Sequence, residues 1–437
     1  MAADLQTLAI NSIRILSIDA VQKANSGHPG LPLGAAPMAY ALWKQHLKHN
    51  PQNTQWADRD RFILSAGHGS MLIYALLYLT GYDVSLDEIK NFRQWGSKTP
   101  GHPEYHHTPG IEVTTGPLGQ GTAHAVGMAL AEAFLASYFN RPGHTIVDHY
   151  TYAIVSDGDL MEGVSAEAAS IAGTWGLGKL IYLYDSNAVT LDGKADMTFT
   201  EDVEMRYKAY GWHTLTVADG NDWGAISRAI ADAKAVTGKP TLITVKTIIG
   251  YGAPKKAGTE KVHGAPLGAE ELAGAKAALG ITYAAFEIPA AILNTWRAAG
   301  TRCQNIRGEW QSRLAASPHK AEFERRMQGD LPAEFKSAMD GFKRKLVEDK
   351  PKVATRKSSQ MALDIINAVL PETLGGSADL THSNLTNTKE MIPFQADNRL
   401  GRYMMYGIRE HEMAAAMNGV ALHGGLIPYG GTFMVFT

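Results

Sequence analysis

TYAIVSDGDLMEGVSAEAASIAGTWGLGKLIYLYDSNAVTLDG, residues 151–193, decides the fold. An apolar, β-branched run ends in Asp157-Gly158-Asp159, a stretch rich in small residues follows at helical length, and a second apolar run ends in Asp185-Ser186-Asn187. Strand, helix and strand in that order make a βαβ unit, whose parallel strands bring their carboxyl ends to one edge of the sheet, where open α/β folds bind ligands. Asp157 and Asn187, thirty positions apart, are therefore able to meet. A carboxylate, an amide oxygen and a nearby backbone carbonyl form a hard, oxygen-only half-shell suited to Mg²⁺ or Ca²⁺, with phosphate oxygens completing the octahedron. Gly158 leaves room for a phosphate to approach the backbone. Taken singly, D-G and S-N are ordinary turn residues, and the strand-helix-strand frame is what argues otherwise.

The same alternation extends in both directions. Strands are expected near 61–66, 151–156, 179–185, 212–218 and 241–248, with helices near 5–24, 69–80, 85–95, 120–138, 162–175 and 222–236, around a mostly parallel sheet. In SLDEIKNF, Ser85 and Glu88 have the spacing of a reciprocal capping box. From about 268 to 350 the strands disappear and the chain turns Ala-, Glu-, Lys- and Arg-rich, with PAEFKSAMDGFKRKLVEDKP reading as an exposed amphipathic helix closed by Pro351. A second α/β pattern starts near Arg356. It comprises the helix SSQMALDIINAVL, a Gly-rich turn LGGSADL, a helix beginning near Glu410 and the apolar run IPYGGTFMVF.

Bulk composition narrows the class. The 437 residues allow two or three domains at ~150 residues each, and 45% hydrophobic residues suit packed cores. With 41 basic against 43 acidic residues, and no basic cluster, nucleic acid is not an expected partner. No run of 18 apolar residues suggests a membrane span. The single Cys303 rules out an internal disulfide framework, and the N-terminal MAADLQTLAINSIRILSIDA lacks the basic start of a leader, so a cytoplasmic setting is expected.

The pairing of D-G-D with a later Asn resembles the thiamine diphosphate signature, departing from it at Ser156, where the signature has Gly. NSGHPGLPLG (25–34), LSAGHGSMLIYALLYLTGY (64–82), KTPGHPE (98–104), TTGPLGQG (114–121) and VHGAPLG (262–268) each resemble transketolase motifs, and the resemblance runs along essentially the whole chain. It implies a three-layer α/β/α diphosphate-binding domain over 1–317, a helical linker over 318–355, and an incomplete pyrimidine-binding α/β domain over 356–437, with the family's third domain absent. It implies thiamine diphosphate and a divalent cation, Mg²⁺ or alternatively Ca²⁺ or another. It also implies sugar-phosphate substrates and a homodimer with the cofactor at the subunit interface.

Carried over by residue, the resemblance makes Asp157, Asn187 and the Val189 carbonyl metal ligands. His68, Gly158 and His263 would contact the diphosphate, and Gly116, Pro117 and Leu118 would line the cofactor. His28 and His263 would face the substrate as catalytic groups, and His102 would hold its hydroxyls. An imidazole can both donate to phosphate and move protons near neutrality. Glu410 would bond the aminopyrimidine N1′, where a proton favours the imino form of the neighbouring amine. Phe433 and Phe436 would pack on the pyrimidine, and Arg356 and Ser383 would grip the substrate phosphate, the guanidinium through a charge-assisted fork. The implied reaction is ketol transfer from a ketose phosphate to an aldose phosphate, in the pentose phosphate pathway or carbon fixation. Alternatives are a dihydroxyacetone synthase, or a fragment that binds cofactor or partner without catalysis. The 82 residues from Arg356 to Thr437 are short for an α/β domain of ~100–150 residues, so the chain alone is expected to turn over at background.

Overall fold

Runs such as RFIL, YAIV, LIYLY and TLITV supply the β-branched and aromatic residues that suit a pleated, buried surface, and each becomes a strand. The computed structural model describes residues 4–437. In chain order the elements are α1 (Leu5–Ala24), α2 (Gly30–Ala41), β1 (Arg61–Leu64), α3 (Met71–Thr80), α4 (Leu86–Lys90), α5 (Gln120–Phe139), β2 (Thr151–Ser156), α6 (Asp157–Met161), α7 (Gly163–Trp175), β3 (Leu180–Ser186), α8 (Val203–Ala209), β4 (His213–Val217), α9 (Trp223–Ala235) and β5 (Thr241–Lys246). There follow α10 (Ala269–Ala278), α11 (Ala290–Thr301), α12 (Gln304–Ala316), α13 (Lys320–Gln328), α14 (Glu334–Asp349), α15 (Thr355–Val369), β6 (Thr373–Ser377), α16 (Thr381–Asn384), β7 (Tyr403–Met405), α17 (Glu410–His423) and β8 (Ile427–Gly431). The chain is a mixed α/β protein with parallel sheets. Among the described residues no helix is long and apolar enough to cross a membrane.

The backbone divides into two compact units. The first takes the chain up to Thr122, then His149–Ala166 and Gly178–Gly308; the second takes Ala123–Asp148, Glu167–Leu177 and Glu309–Thr437. The first unit holds a five-stranded, all-parallel sheet in the order β1-β2-β3-β5-β4. Phe62 and Leu64, Tyr152 and Ile154, Ile181 and Leu183, and Ile243 and Val245 alternate onto one face of it. There they meet Ile13 and Leu16 of α1, residues of α2 and α3, Ile226 of α9 and Trp296 of α11. Burying a Leu or Phe is worth ~1.5–3 kcal/mol, so this layer fixes which face each strand turns inward. Between α11 and α12, Cys303 is fully buried with its Sγ 4.0 Å from the Leu47 carbonyl oxygen.

The second unit contains a three-stranded parallel sheet in the order β7-β6-β8. Its central strand is TLGGS, which corrects the expectation of a Gly-rich turn in LGGSADL. A side chain at Gly375 would fall 2.2 Å from the Tyr429 ring, so the glycines let neighbouring aromatic rings lie on the strand. Two further expectations are corrected. The helix foreseen over 85–95 stops at Lys90, and its capping box is only half made. Ser85 Oγ accepts from the Glu88 N–H at 3.2 Å, but the Glu88 carboxylate instead accepts from the Lys98 N–H at 2.7 Å. By contrast α14 is fully without buried residues, as its amphipathic pattern predicts.

Candidate active site

The register between β2 and β3 pairs Ser156 with Asp185, so the residues that follow, Asp157 and Ser186-Asn187, leave the sheet side by side. The expected meeting of Asp157 and Asn187 rests on this register. Asp157 accepts from the Tyr184 hydroxyl and, at 3.2 Å, from the Ala188 N–H. Asn187 donates through Nδ2 to Asp185 at 2.9 Å, which commits its amide oxygen to the other side, where it accepts from the Val189 N–H at 3.0 Å. Ala188 makes the turn with a left-handed φ of 60°. Burial raises the pKa of Asp157, against the donors Tyr184 and Ala188. Burial also pushes Asp185 up to about 7, with Thr247 and Asn187 opposing and Asp157 reinforcing the shift.

Above this edge lies a cavity of about 520 Å³, within the usual range for small-molecule sites. His28, His68, Gly116, Leu118, Asp157, Gly158, Asn187, Val189 and His263 all line it. His68 is held by the single turn Gly67–Gly69 after β1. Gly67 is required there, since a Cβ would fall 2.5 Å from Thr115 Oγ1 and 2.7 Å from the Gly116 nitrogen. The histidine rings cluster: His68 stacks on His263 with centroids 5.0 Å apart, while His28 lies 5.2 Å from His68, 5.7 Å from His263 and 6.3 Å from His102.

This crowding sets their charge. Burial, then neighbouring His263, His28 and His102, pushes His68 down to about 3. Burial, then Arg93 and the other rings, pushes His28 down to about 4. Burial lowers His102 and His263 too. All four are neutral near pH 7, each with a donor and an acceptor nitrogen. His263 Nδ1 is buried with no hydrogen-bond partner among the described residues, a polar atom that a ligand oxygen or hydroxyl would satisfy. A half-shell of one carboxylate and neutral oxygens, facing an unsatisfied imidazole, fits a cation-bound diphosphate.

Pro117 and His102 line a neighbouring recess that shares Gly116 with this cavity. The other predicted residues lie in the second unit. Glu410 opens α17 and is half-buried. Arg356 lies in the first turn of α15 and Ser383 in α16, both exposed. Phe433 and Phe436 are 37% and 51% exposed.

Four contributors escaped the sequence reading. Arg93 reaches His28 Nδ1 at 3.3 Å and Ser26 Oγ at 2.9 Å, and it adopts φ 61° where the anticipated helix gives way. Tyr184 grips Asp157 from the strand below. Ser156 and Asp159 form the reciprocal capping box that Ser85 and Glu88 do not. The S-x-x-D spacing carried that last signal.

A profile of the transketolase thiamine diphosphate binding domain matches residues 5–332, and one of the transketolase pyrimidine binding domain matches 351–437. The chain belongs to the transketolase family. Transketolase 1 of Escherichia coli is 54% identical over 431 residues, covering 98% of this chain and 65% of that protein. The solved structure of transketolase from Leishmania mexicana superposes with a TM-score of 0.93 at 46% identity, over all of this chain and 65% of that one. The Pichia stipitis transketolase, solved in complex with sedoheptulose-7-phosphate, gives 0.94 at 45% identity, over 99% and 65%. This chain thus spans about 65% of the length of its transketolase relatives.

Proposed function

We propose that this chain is the thiamine-diphosphate-binding part of a transketolase that moves a two-carbon ketol unit from a ketose phosphate to an aldose phosphate. The observation that carries this reading is the cavity lined by His28, His68 and His263 above the Asp157–Asn187–Val189 edge, with His102 beside His28. Asp157, Asn187 and the Val189 carbonyl would hold the divalent cation, with Mg²⁺ the ion favoured by a small all-oxygen shell that leaves sites for phosphate. His68 and His263 would donate to the diphosphate, with Gly158 leaving it room and Gly116, Pro117 and Leu118 bounding its path. Thiamine diphosphate, when bound, supplies an acidic carbon able to add to a sugar carbonyl and carry the two-carbon unit.

Neutral imidazoles suit the rest of the work. His28 and His263 can each accept a proton from a sugar hydroxyl and return it, and His102 can orient hydroxyls without bringing a charge. Glu410 would hold a proton at the pyrimidine N1′, Phe433 and Phe436 would pack on that ring, and Arg356 and Ser383 would bind the substrate phosphate. The domain limits proposed are 1–317, 318–355 and 356–437, in a cytoplasmic homodimer whose copies share the cofactor. Sedoheptulose-7-phosphate, bound by the Pichia stipitis relative, belongs to the substrate class proposed.

The test has two parts. Calorimetric titration of the purified chain with Mg²⁺ and thiamine diphosphate should give saturable binding that needs the metal. A coupled assay with xylulose 5-phosphate and ribose 5-phosphate, on a protein completed to the length of its relatives, should give ketol transfer. No binding in the first, or a preference for formaldehyde as acceptor in the second, overturns the reading.

A further inference from the structure

Ser156 stands where the cofactor signature has Gly, and the structure links this departure to Asp159, a residue that does not line the cavity. Asp159 is 0% exposed, yet its carboxylate is fully used. Oδ1 accepts from Ser65 Oγ at 2.7 Å and from the Gly119 N–H at 2.9 Å. Oδ2 accepts from both the Ser156 N–H and the Ser156 hydroxyl at 2.9 Å. Its own N–H returns to Ser156 Oγ at 3.4 Å, closing the capping box. Its carbonyl accepts from the Ser165 hydroxyl, which also meets Thr122 Oγ1 at 2.9 Å.

These contacts join three different segments of the chain. Ser65 ends the β1 edge two residues before Gly67-His68. Gly119 follows Gly116-Pro117-Leu118 directly, and Ser156 precedes Asp157-Gly158. Each segment carries residues that face the cavity, and one carboxylate ties all three together behind it. A carboxylate receiving four donors is held as an acceptor on both oxygens, a role no neutral side chain of that size can copy.

We infer that Asp159 is a positioning residue for the diphosphate and metal site, and that it acts together with Ser156, the residue standing where the signature has glycine. This rests on the cavity being the thiamine diphosphate site. Ligand-bearing loops are set by such supporting contacts, and losing one typically costs about 10–100-fold in metal affinity.

Asp159→Asn separates positioning from bulk. The amide keeps the volume but offers one acceptor oxygen, so either the Gly119 pair or the Ser156 pair faces an NH₂ group. Ser65→Ala removes a single donor and leaves the carboxylate in place, which keeps the test alive if the first variant folds poorly. The purified wild-type chain and both variants would be titrated calorimetrically with Mg²⁺ and thiamine diphosphate, and their thermal midpoints measured without ligand.

Asp159→Asn should weaken metal-dependent binding about 10–100-fold and Ser65→Ala by less. Ser156→Gly should cost affinity in the wild type but less in the Asp159→Asn background, because the two residues act as one device. A purely structural role would lower the midpoints and leave the affinity of the folded protein unchanged. Folded variants that bind as the wild type does overturn the inference alone. A wild-type chain that binds nothing overturns the site assignment beneath it.

Discussion

Two helices in this molecule open with acidic residues spaced two apart, Asp157-Gly158-Asp159 at α6 and Glu410-His411-Glu412 at α17. In each pair the first carboxylate carries a proposed role, Asp157 toward the metal and Glu410 toward the cofactor, and the second is buried to 0% exposure. The buried members have opposite surroundings. Asp159 receives donors from Ser65, Gly119 and Ser156, whereas neither oxygen of Glu412 has a partner among the described residues. The Glu412 backbone N–H, not its carboxyl, is what reaches Glu167, at 3.0 Å. Burial raises the pKa of both residues, but around Asp159 donors from Gly119, Ser65 and Ser156 pull back. At Glu412 burial, reinforced by Glu167 and opposed only by Arg409, lifts the pKa well above the ordinary value. Burial alone therefore does not set the pKa of a carboxyl group; the donors and charges around it also do.

The comparison breaks most sharply at Asp157. Asp157→Ala removes the only anionic protein ligand of the proposed shell and should abolish metal-dependent binding of thiamine diphosphate, read by calorimetry. Retained affinity would leave Asp159 holding a turn with no ligand to position.

Next in size is Asp159→Ala, which strands four buried donors and should cost at least ~3 kcal/mol of stability in urea denaturation. A loss under ~1 kcal/mol would mean that water replaces the carboxylate, and the contrast with Glu412 would collapse.

Glu412→Gln should act in the opposite sense, through pH. A carboxyl whose folded pKa lies above its unfolded 4.5 binds more protons in the folded state, so stability is fully present below pH 4.5. It declines by up to about 1.4 kcal/mol per pH unit as pH rises toward the folded pKa. Of the groups facing Glu412, Glu167 extends that decline to higher pH, Arg409 shortens it, and Tyr406 is itself held neutral by burial. Denaturation midpoints from pH 5 to 8 should fall less for the glutamine variant than for wild type. Parallel curves would place an undetected donor on Glu412.

The smallest effect extends the lesson to the histidines. With folded pKa values near 3 and 4 against 6.5 unfolded, His68 and His28 bind fewer protons when folded, so their share of stability is present above pH 6.5 and lost as pH falls toward 4. Ring NMR of the unliganded chain should show neither titrating between pH 5 and 8. Adding Mg²⁺ and thiamine diphosphate should raise His68 by about a unit or more, as an anion does for a nearby imidazolium.

Much of this was legible in the sequence. The β1 to β5 strands announced themselves through apolar runs, and G-H-P-G, G-H-G and H-G-A-P flagged the histidines that cluster. Strand β6 was hidden because Gly375 and Gly376 read as a turn, and only the rings of Tyr429 and Tyr406 lying against them explain the strand. The helix at Ser85 read too long because nothing local marks Arg93 as a residue recruited to His28. The two S-x-x-D/E spacings were indistinguishable as patterns. Glu88 finds a better donor in Lys98, while Asp159 has its donors delivered by loops 40 and 94 residues away in sequence.

Cys303 gives the first unit a built-in reporter. As the chain's single thiol, fully buried between α11 and α12, it reacts with a thiol reagent only when that junction opens. At reagent concentrations where opening is in rapid equilibrium, the labelling rate reads the free energy of that opening directly, with no engineered probe. Because α11 packs in the same layer as α1 and α3, the reading reports on the core that backs the whole sheet. Mass spectrometry of one alkylation event would thus distinguish substitutions that loosen this core from those that disturb only the loops at its carboxyl edge.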